Sequence, residues 1–362
     1  MELLVVFDSP SNMTSSLSLR HVAVVGATGA VGKEMINCLY RLGYPFDSLF
    51  LFASEKSKGT TIETPDGSTL TVSEFSVDEI VRSKCRIVLL AVSGTFSEQF
   101  SPALVQAGCI VIDNSSAFRY METVPLVVPS LNGLVLKKDE LSGGKIIANP
   151  NCTSAISAMV LFPLHMKFGG IKRLIASTYQ AASGAGEPGM AELSSAIAAH
   201  ASGTPFTPTV FSHNLCSNVI PCIDTVQPNG YTKEEMKLVW ETQKIFNNKE
   251  IEISCTAVRV PTMRAHCISA SIEFNQPVSV DQVREILVQS PGVVVVDNPG
   301  EKIYPVPTQA SGKDDVFVGR IRQNLIFKKH GIDVFICGDQ LLRGAALNAV
   351  EIAALVNKIL AE

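Results

Sequence analysis

Cys152 is the residue in this chain best placed to act as a nucleophile. It lies in Asn149-Pro-Asn-Cys152-Thr-Ser, between a short apolar run and a stretch of helical character over 155–164. Pro150 and Asn151 are turn residues, and Asn151 or Thr153 would cap the helix. A thiol at a helix N-terminus meets free N–H groups and the positive end of the dipole, which favours the thiolate and predicts a lowered pKa. Most of the other cysteines, including Cys85, Cys109, Cys255 and Cys337, sit in apolar stretches and pack as small hydrophobes. No two cysteines have CxxC spacing, and no metal is expected. Thiol chemistry also needs an acid/base. Of six histidines, His266 stands out in Arg259-Val-Pro-Thr-Met-Arg-Ala-His266. Arg259 ends one strand pattern and His266 starts the next, so both can face one cavity across the Pro261 turn. On composition alone a structural histidine explains His266 as well.

A second constellation is Gly26-Ala-Thr-Gly29-Ala-Val-Gly32, between the β-branched run His21-Val-Ala-Val-Val and a helix marked by Val31, Met35, Leu39 and Leu42. Glycines let the backbone turn sharply against a pyrophosphate, and the following helix start offers N–H groups to it. Gly26, Thr28, Gly29, Ala30, Val31 and Gly32 are therefore cofactor-binding candidates, the rival reading being a tight turn with no ligand. The second strand runs into Ala53-Ser-Glu-Lys-Ser-Lys-Gly59. Ser54, Lys56 and Ser57 suit a ribose 2′-phosphate and hence NADP, whereas Glu55 would suit the free hydroxyl of NAD.

These residues need elements to hold them. The length of 362 residues predicts two domains at roughly 100–200 residues each. Strand patterns over 49–53, 87–92, 109–113 and 146–148 alternate with helical segments, which predicts an N-terminal Rossmann-like parallel sheet. Patterns over 173–179, 255–260, 266–274, 293–296, 316–322 and 332–337 predict an α+β second domain with a mainly antiparallel sheet. The expected boundaries are a flexible leader over 1–19, a cofactor-binding domain over 20–150 completed by a C-terminal helix over 340–362, and a catalytic and dimerisation domain over 151–339. Hydrophobic residues make up 46% and charged residues 18%, with a net charge of −4, so neither disorder nor a nucleic-acid footprint is expected. No contiguous apolar run approaches the ~18 residues of a membrane span. A cytoplasmic location is expected, with a plastid possible should the leader be a transit remnant.

The motifs together resemble the aspartate-semialdehyde dehydrogenases of the bacterial and plant type, from about residue 20 to the C-terminus. The resemblance rests on the glycine loop, Asp113-Asn-Ser-Ser-Ala-Phe-Arg119, Asn149-Pro-Asn-Cys152, Ser177-Thr-Tyr-Gln-Ala-Ala-Ser-Gly-Ala-Gly186, Glu234-Glu-Met-Lys237, Arg259…His266 and Gly338-Asp-Gln-Leu-Leu-Arg-Gly-Ala-Ala-Leu-Asn-Ala-Val350. It implies Cys152 as the nucleophile that becomes an acyl-thioester, His266 as acid/base and Gln180 as the residue that orients the nucleophile or the thioester. It implies Arg259 on the substrate α-carboxylate, Glu234 on its ammonium, Arg119 and Lys237 on phosphate, and Ser183, Gly184 and Gln340 beside NADP. The implied reaction is NADPH-dependent reduction of L-aspartyl 4-phosphate, with inorganic phosphate released. Glu234 and Lys237 are i,i+3 on an expected helix and share a face, though such a pair is also an ordinary surface feature. The chain departs from the family in Cys152-Thr-Ser for Cys-Ser-Thr, in Leu342 where a base is common, and in Glu55-Lys56. The enzymatic rival is an N-acetylglutamyl-phosphate reductase, which typically has Asn-Pro-Gly-Cys; the non-enzymatic rival is an NADP-binding sensor. A homodimer or dimer of dimers is expected. The segment from Thr204 to Asn229 carries Phe206, Val210, Phe211, Leu215, Val219 and Ile220 with Asp224 as its one carboxylate, and is expected to bury itself against the partner.

Overall fold

The computed structural model describes residues 17–362, so the expected leader lies largely outside the described residues; strand β1 already begins at Ser18. The first sheet comprises β1 (Ser18–Val25), β2 (Ser48–Ala53), β3 (Thr61–Glu63), β4 (Thr69–Glu74), β5 (Cys85–Leu90), β6 (Ile110–Asp113) and β7 (Lys145–Ala148) in the order β3-β4-β2-β1-β5-β6-β7. Every ladder is parallel except that of edge strand β3 with β4. Val22 to Val25 are buried on both faces, which is why this central strand reads as an unbroken β-branched run. From β1 the chain winds one way through β2 and β4, and from β5 the other way through β6 and β7. The loops after β1 and β5 therefore diverge, leaving the crevice where such sheets bind ligands.

Helices α1 (Ala30–Arg41), α2 (Val77–Arg82) and α3 (Gly94–Gln106) belong to this half. At Cys152 the chain enters α4 (Cys152–Lys167), a helix buried almost all round whose apolar side chains join the core of the second domain. That domain holds β8 (Ile171–Gln180), α5 (Gly186–Ser202), α6 (Lys233–Ile245), β9 (Glu252–Arg259), β10 (His266–Phe274), α7 (Val280–Gln289), β11 (Val293–Val295), β12 (Val316–Gln323) and β13 (Gly331–Gly338). Its sheet order is β11-β12-β13-β10-β8-β9. The ladders β12·β13, β13·β10 and β10·β8 are antiparallel; β8·β9 and β11·β12 are parallel.

β9 and β10, which flank the Pro261 turn, do not pair with each other, because β8 lies between them. The segment expected to seek a partner also folds partly onto its own domain, where Leu215 and Ile220 are buried beside Ala182 and Leu193. Val210 and Val219 stay exposed.

The chain ends in a π-turn, Leu342–Ala346, and α8 (Leu347–Ala361). The stretch Leu342–Ala361 is long and apolar enough by composition to cross a membrane. Here its apolar residues instead pack with Met35 and Leu39 of α1 on the first sheet.

Candidate active site

Asn151 builds the nucleophile's turn. Its Oδ1 accepts the Thr153 and Ser154 N–H groups at 2.9 and 3.4 Å, capping α4 and leaving Cys152 as the first helical residue. Its Nδ2 donates to Glu234 Oε1 at 3.1 Å and its backbone N–H to Glu241 Oε2 at 2.6 Å, so one residue ties the thiol's helix to α6 twice. The π-turn closes in from the other side. A Cβ at Gly344 would stand 2.6 Å from Cys152 Cβ, so only glycine fits there. Burial pushes the Cys152 thiol up to about 11, and the Glu234 charge pushes the same way, while Lys237 and Arg259 pull it down. The lowered pKa expected from the helix end is thus corrected: in the free chain, desolvation and a nearby carboxylate outweigh it.

Glu234 and Lys237, one turn apart on α6, make an ion pair of 2.9 Å with little exposure. Gln180, ending β8, donates to Glu234 Oε1 at 3.0 Å and is itself held by Thr178 Oγ1 at 3.0 Å. Burial alone raises the Glu234 carboxyl; Lys237, Gln180 and Asn151 outweigh it and hold it below the usual range. Lys237 also binds Asp224 at 2.9 Å, and the two carboxylates raise its pKa against burial.

Arg259 and His266 meet through Ala181, the residue after β8. Arg259 Nη1 donates to the Ala181 carbonyl at 2.7 Å, and the Ala181 N–H donates to His266 Nδ1 at 3.0 Å. A ring that accepts at Nδ1 carries its proton on Nε2, and that buried Nε2 has no partner among the described residues. Burial first, then the Arg259 charge, pushes His266 down to about 3, so the ring is neutral in the physiological range. Gly184 abuts both residues: a Cβ there would lie 2.5 Å from Arg259 Nη1 and 3.2 Å from His266 Nε2. Ala265, just before His266, adopts φ of 71°, a left-handed conformation that costs a non-glycine residue ~1–2 kcal/mol. Gln340 holds it there, accepting the Ala265 N–H at 2.9 Å and donating to Ser183 Oγ.

Arg119 is not free in this structure. Its Nε donates to the Asn149 carbonyl at 2.8 Å, Nη2 to the Asn114 carbonyl at 2.6 Å and Nη1 to Glu241 at 3.1 Å, in a fully enclosed ion pair. In this arrangement it clamps the nucleophile's turn.

The dinucleotide candidates gather at the crevice. Gly26 has φ of 83°, and a Cβ would meet the Ala91 carbonyl oxygen at 2.2 Å, so the loop passes hard against the end of β5. A Cβ at Gly32 would meet the Gly26 oxygen at 2.2 Å, which packs helix on loop. Gly29 is the N-cap of α1 and provides no side-chain cap, leaving first-turn N–H groups at Ala30, Val31 and Gly32 without an acceptor. A dinucleotide pyrophosphate fits that unfilled helix end. Ser54, Glu55, Lys56 and Ser57 form an open turn after β2, with Lys56 exposed and no acid among the described residues bonded to it.

Residues 21–139 match the family described as semialdehyde dehydrogenase, NAD binding domain, and residues 161–343 match semialdehyde dehydrogenase, dimerisation domain. The chain is 40% identical to an aspartate-semialdehyde dehydrogenase of Aquifex aeolicus over 93% of its length and 98% of the relative's. It is 41% identical to that of Campylobacter jejuni over 92% and 96%. The chain belongs to the aspartate-semialdehyde dehydrogenase family. Membership makes it an oxidoreductase of amino-acid biosynthesis with an NAD(P)-binding Rossmann-type domain. Among solved structures, aspartate-semialdehyde dehydrogenase II of Vibrio cholerae complexed with ASA superposes with a TM-score of 0.87 at 39% identity, covering 93% of this chain and 98% of that one. The Candida albicans enzyme with NADP gives 0.75 at 25% identity, covering 95% and 99%.

Asn151, Glu241 and Asp224 are site residues of this family member that sequence reading missed. Asn151 reads only as a cap. Glu241 has a usable signal, since it falls seven residues after Glu234 on the same helix face. Asp224 has none, because it comes from an irregular segment and reaches Lys237 only through the fold.

Proposed function

We propose that the chain reduces L-aspartyl 4-phosphate to L-aspartate 4-semialdehyde with NADPH, releasing inorganic phosphate, through an acyl-thioester on Cys152, at the branch toward lysine, threonine and methionine. The observation that carries this reading is the charge arrangement around Cys152. Glu234 approaches from α6 and Arg259 from β9, opposite signs that suit the ammonium and carboxylate of one amino acid. An N-acetylated substrate would leave Glu234 with no cation to meet, which disfavours the N-acetylglutamyl-phosphate reductase reading. A purely sensory protein would have no use for a neutral imidazole whose Nε2 bonds nothing among the described residues.

Cys152 Sγ attacks the acyl carbon; the C–S bond forms, the C–O bond to phosphate breaks, and phosphate leaves. NADPH, when bound, supplies the hydride that reduces the acyl group. His266, neutral with its proton on Nε2, offers that N–H as a hydrogen bond where the carbonyl oxygen gains charge, and so stabilises the oxyanion without giving the proton up. Collapse breaks the C–S bond and returns the sulfur to Cys152. The high thiol pKa of the free chain fits this sequence. A substrate ammonium against Glu234 cancels the charge that raises the thiol, so the nucleophile ionises as its substrate arrives. We assign the uncapped α1 terminus to pyrophosphate and Ser54, Lys56 and Ser57 to the 2′-phosphate of NADP, with Ser183, Gly184 and Gln340 toward the nicotinamide. We assign phosphate to Lys237 and Arg119, both of which hold carboxylates in this structure.

A homodimer follows from the same reading. On β8, Leu174, Ala176 and Thr178 face the domain core, while Ile175 and Tyr179 lie 52% and 39% exposed on the opposite face. We propose that this face meets a second copy, and sedimentation at micromolar protein should show the dimer. The bacterial relatives support a cytoplasmic site of action and lend the plastid alternative nothing. The deciding assay is phosphate-dependent NADPH formation from aspartate semialdehyde, with N-acetylglutamate semialdehyde as comparator. Cys152→Ala should abolish it while NADP binding persists. Wild-type turnover by that variant, or preference for the acetylated substrate, refutes the proposal.

A further inference from the structure

Glu192, on α5, is a buried carboxylate that none of the chemistry above uses. Its Oε2 accepts the Thr209 N–H at 2.6 Å, the Thr209 hydroxyl at 2.9 Å and the Val210 N–H at 2.5 Å. Its Oε1 accepts the Phe211 N–H at 3.1 Å. Burial works against the charge, but the three backbone donors and the hydroxyl outweigh it and hold the carboxyl below its ordinary range. What it grips is the start of a long segment, residues 203–229, that contains no helix and no strand. The path of such a segment is set by its tethers. Glu192 is one. A second is Ile220, whose N–H and carbonyl exchange hydrogen bonds with Arg259 at 2.9 and 2.8 Å.

Between the two tethers the chain carries Phe211 to Arg259, with the guanidinium carbon 5.7 Å from the ring centroid. The ring lies against Gly189, one turn before Glu192 on the same face of α5, where a Cβ would stand 3.1 Å from Phe211 Cζ. Ile220 holds the Arg259 backbone, while the Ala181 carbonyl takes one amino group of the guanidinium and the Phe211 ring lies against its face. A guanidinium held on two sides from a fixed backbone presents its remaining donors in one direction, the condition for a bidentate grip on a carboxylate.

We propose that Glu192 is a positioning residue for substrate recognition: by pinning residues 209–211 it sets Phe211 against Arg259 and fixes the fork that takes the substrate α-carboxylate. The inference rests on the assignment of Arg259 to that carboxylate. If Glu192 merely stabilised its loop, its loss would lower the melting temperature and leave the Michaelis constant alone.

The test is steady-state kinetics of the full-length enzyme with aspartate semialdehyde, phosphate and NADP, together with thermal melts. Glu192→Gln places an amide donor among the N–H groups it should accept, and Phe211→Leu removes the π face at similar volume. Each should raise KM for the semialdehyde about three- to thirtyfold. Each should leave kcat within about twofold and KM for NADP unchanged, the split expected when only ground-state and transition-state binding are lost together. Phe211→Tyr, which keeps the ring, should recover most of the loss. The Glu192→Gln/Phe211→Leu double variant should be no worse than the poorer single, because both act through one contact. Should Glu192→Gln fail to fold, the contrast between Phe211→Leu and Phe211→Tyr decides alone. Unchanged KM in these variants while Arg259→Leu raises it overturns the proposal and spares the reading of Arg259. Unchanged KM in Arg259→Leu refutes that reading, and the role of Glu192 falls with it.

Discussion

Gly184→Ala is the smallest perturbation that separates this site from a generic dinucleotide fold. The added methyl would stand 2.5 Å from Arg259 Nη1, roughly 0.9 Å inside an ordinary contact. A surface arginine would swing away at little cost. This one is 7% exposed, bonded to the Ala181 carbonyl at 2.7 Å and packed on Phe211, so moving it breaks the bond to Ala181 or tilts the fork. A hydrogen bond from a charged donor contributes about 1.5–3 kcal/mol. Lost from substrate recognition, that is about 10- to 100-fold in kcat/KM. His266 Nε2, 3.2 Å from the same methyl, loses the open space where a carbonyl oxygen would sit. Both effects act on the semialdehyde. The assay is kcat/KM for aspartate semialdehyde at saturating NADP and phosphate, beside a thermal melt to confirm folding. A well-folded Gly184→Ala enzyme within about twofold of wild type would show that Arg259 and His266 do not face the substrate.

Three further outcomes follow from the same geometry. Glu234 raises the Cys152 thiol, so Glu234→Gln should speed alkylation of Cys152 by iodoacetamide at neutral pH. A slower reaction, mapped by peptide mass, would remove Glu234 from the nucleophile's electrostatics. His266 is pushed down to about 3, below its unfolded value of ~6.5, so the unfolded chain binds the extra proton and stability falls as pH drops between those values. The loss should be about 2 kcal/mol at pH 5, and His266→Asn should abolish that part of the acid destabilisation in denaturant titrations. For the cofactor, the enzyme should prefer NADPH to NADH; Lys56→Ala should narrow the preference and Glu55→Ala should strengthen NADPH binding. A native preference for NADH would make Glu55 the ribose-binding acid.

What is legible in the sequence is local. The strand–glycine–helix junction at Gly26 and the turn at Cys152 each depend on residues adjacent in the chain, and both appear where the spacing puts them. The long β-runs are legible to within a few residues because one-sided burial writes itself as alternation, as along β8. What fails is non-local. Nothing in the patterns of β9 and β10 says that β8 inserts between them, yet that insertion brings Gln180 and Ala181 to the centre of the site. Helix α5 is hidden because it opens Gly186-Glu-Pro-Gly189, which reads as a loop. Pro188 is tolerated there because first-turn N–H groups have no helical partner, and Gly189 is needed for close packing against Ala182 and Phe211. The thiol pKa departs from expectation for the same reason. The helix end is a local feature, whereas the burial and the Glu234 charge that override it come from tertiary packing.

Helix α6 shows how much a helical pattern alone can carry. Its buried stripe contains Leu238, Thr242 and Ile245, and also Glu234 and Glu241, carboxylates at positions where an amphipathic helix places apolar side chains. A buried carboxylate must find cations or N–H donors, because an unpaired one costs several kcal/mol. Two of them, two turns apart on the inward face, therefore demand partners from other elements. Glu241 is consumed by its partners: Arg119 takes one oxygen and the Asn151 N–H the other. Glu234 has three side-chain partners, Asn151 and Gln180 on Oε1 and Lys237 on Oε2. Asn151 touches both, so the residue that caps the nucleophile's helix also fixes it against the two carboxylates. The division of labour on one helix face is physical. The carboxylate whose oxygens are both taken by an enclosed arginine and a backbone amide holds the scaffold. The one paired with Lys237 and two side-chain amides is the carboxylate we assign to the substrate ammonium.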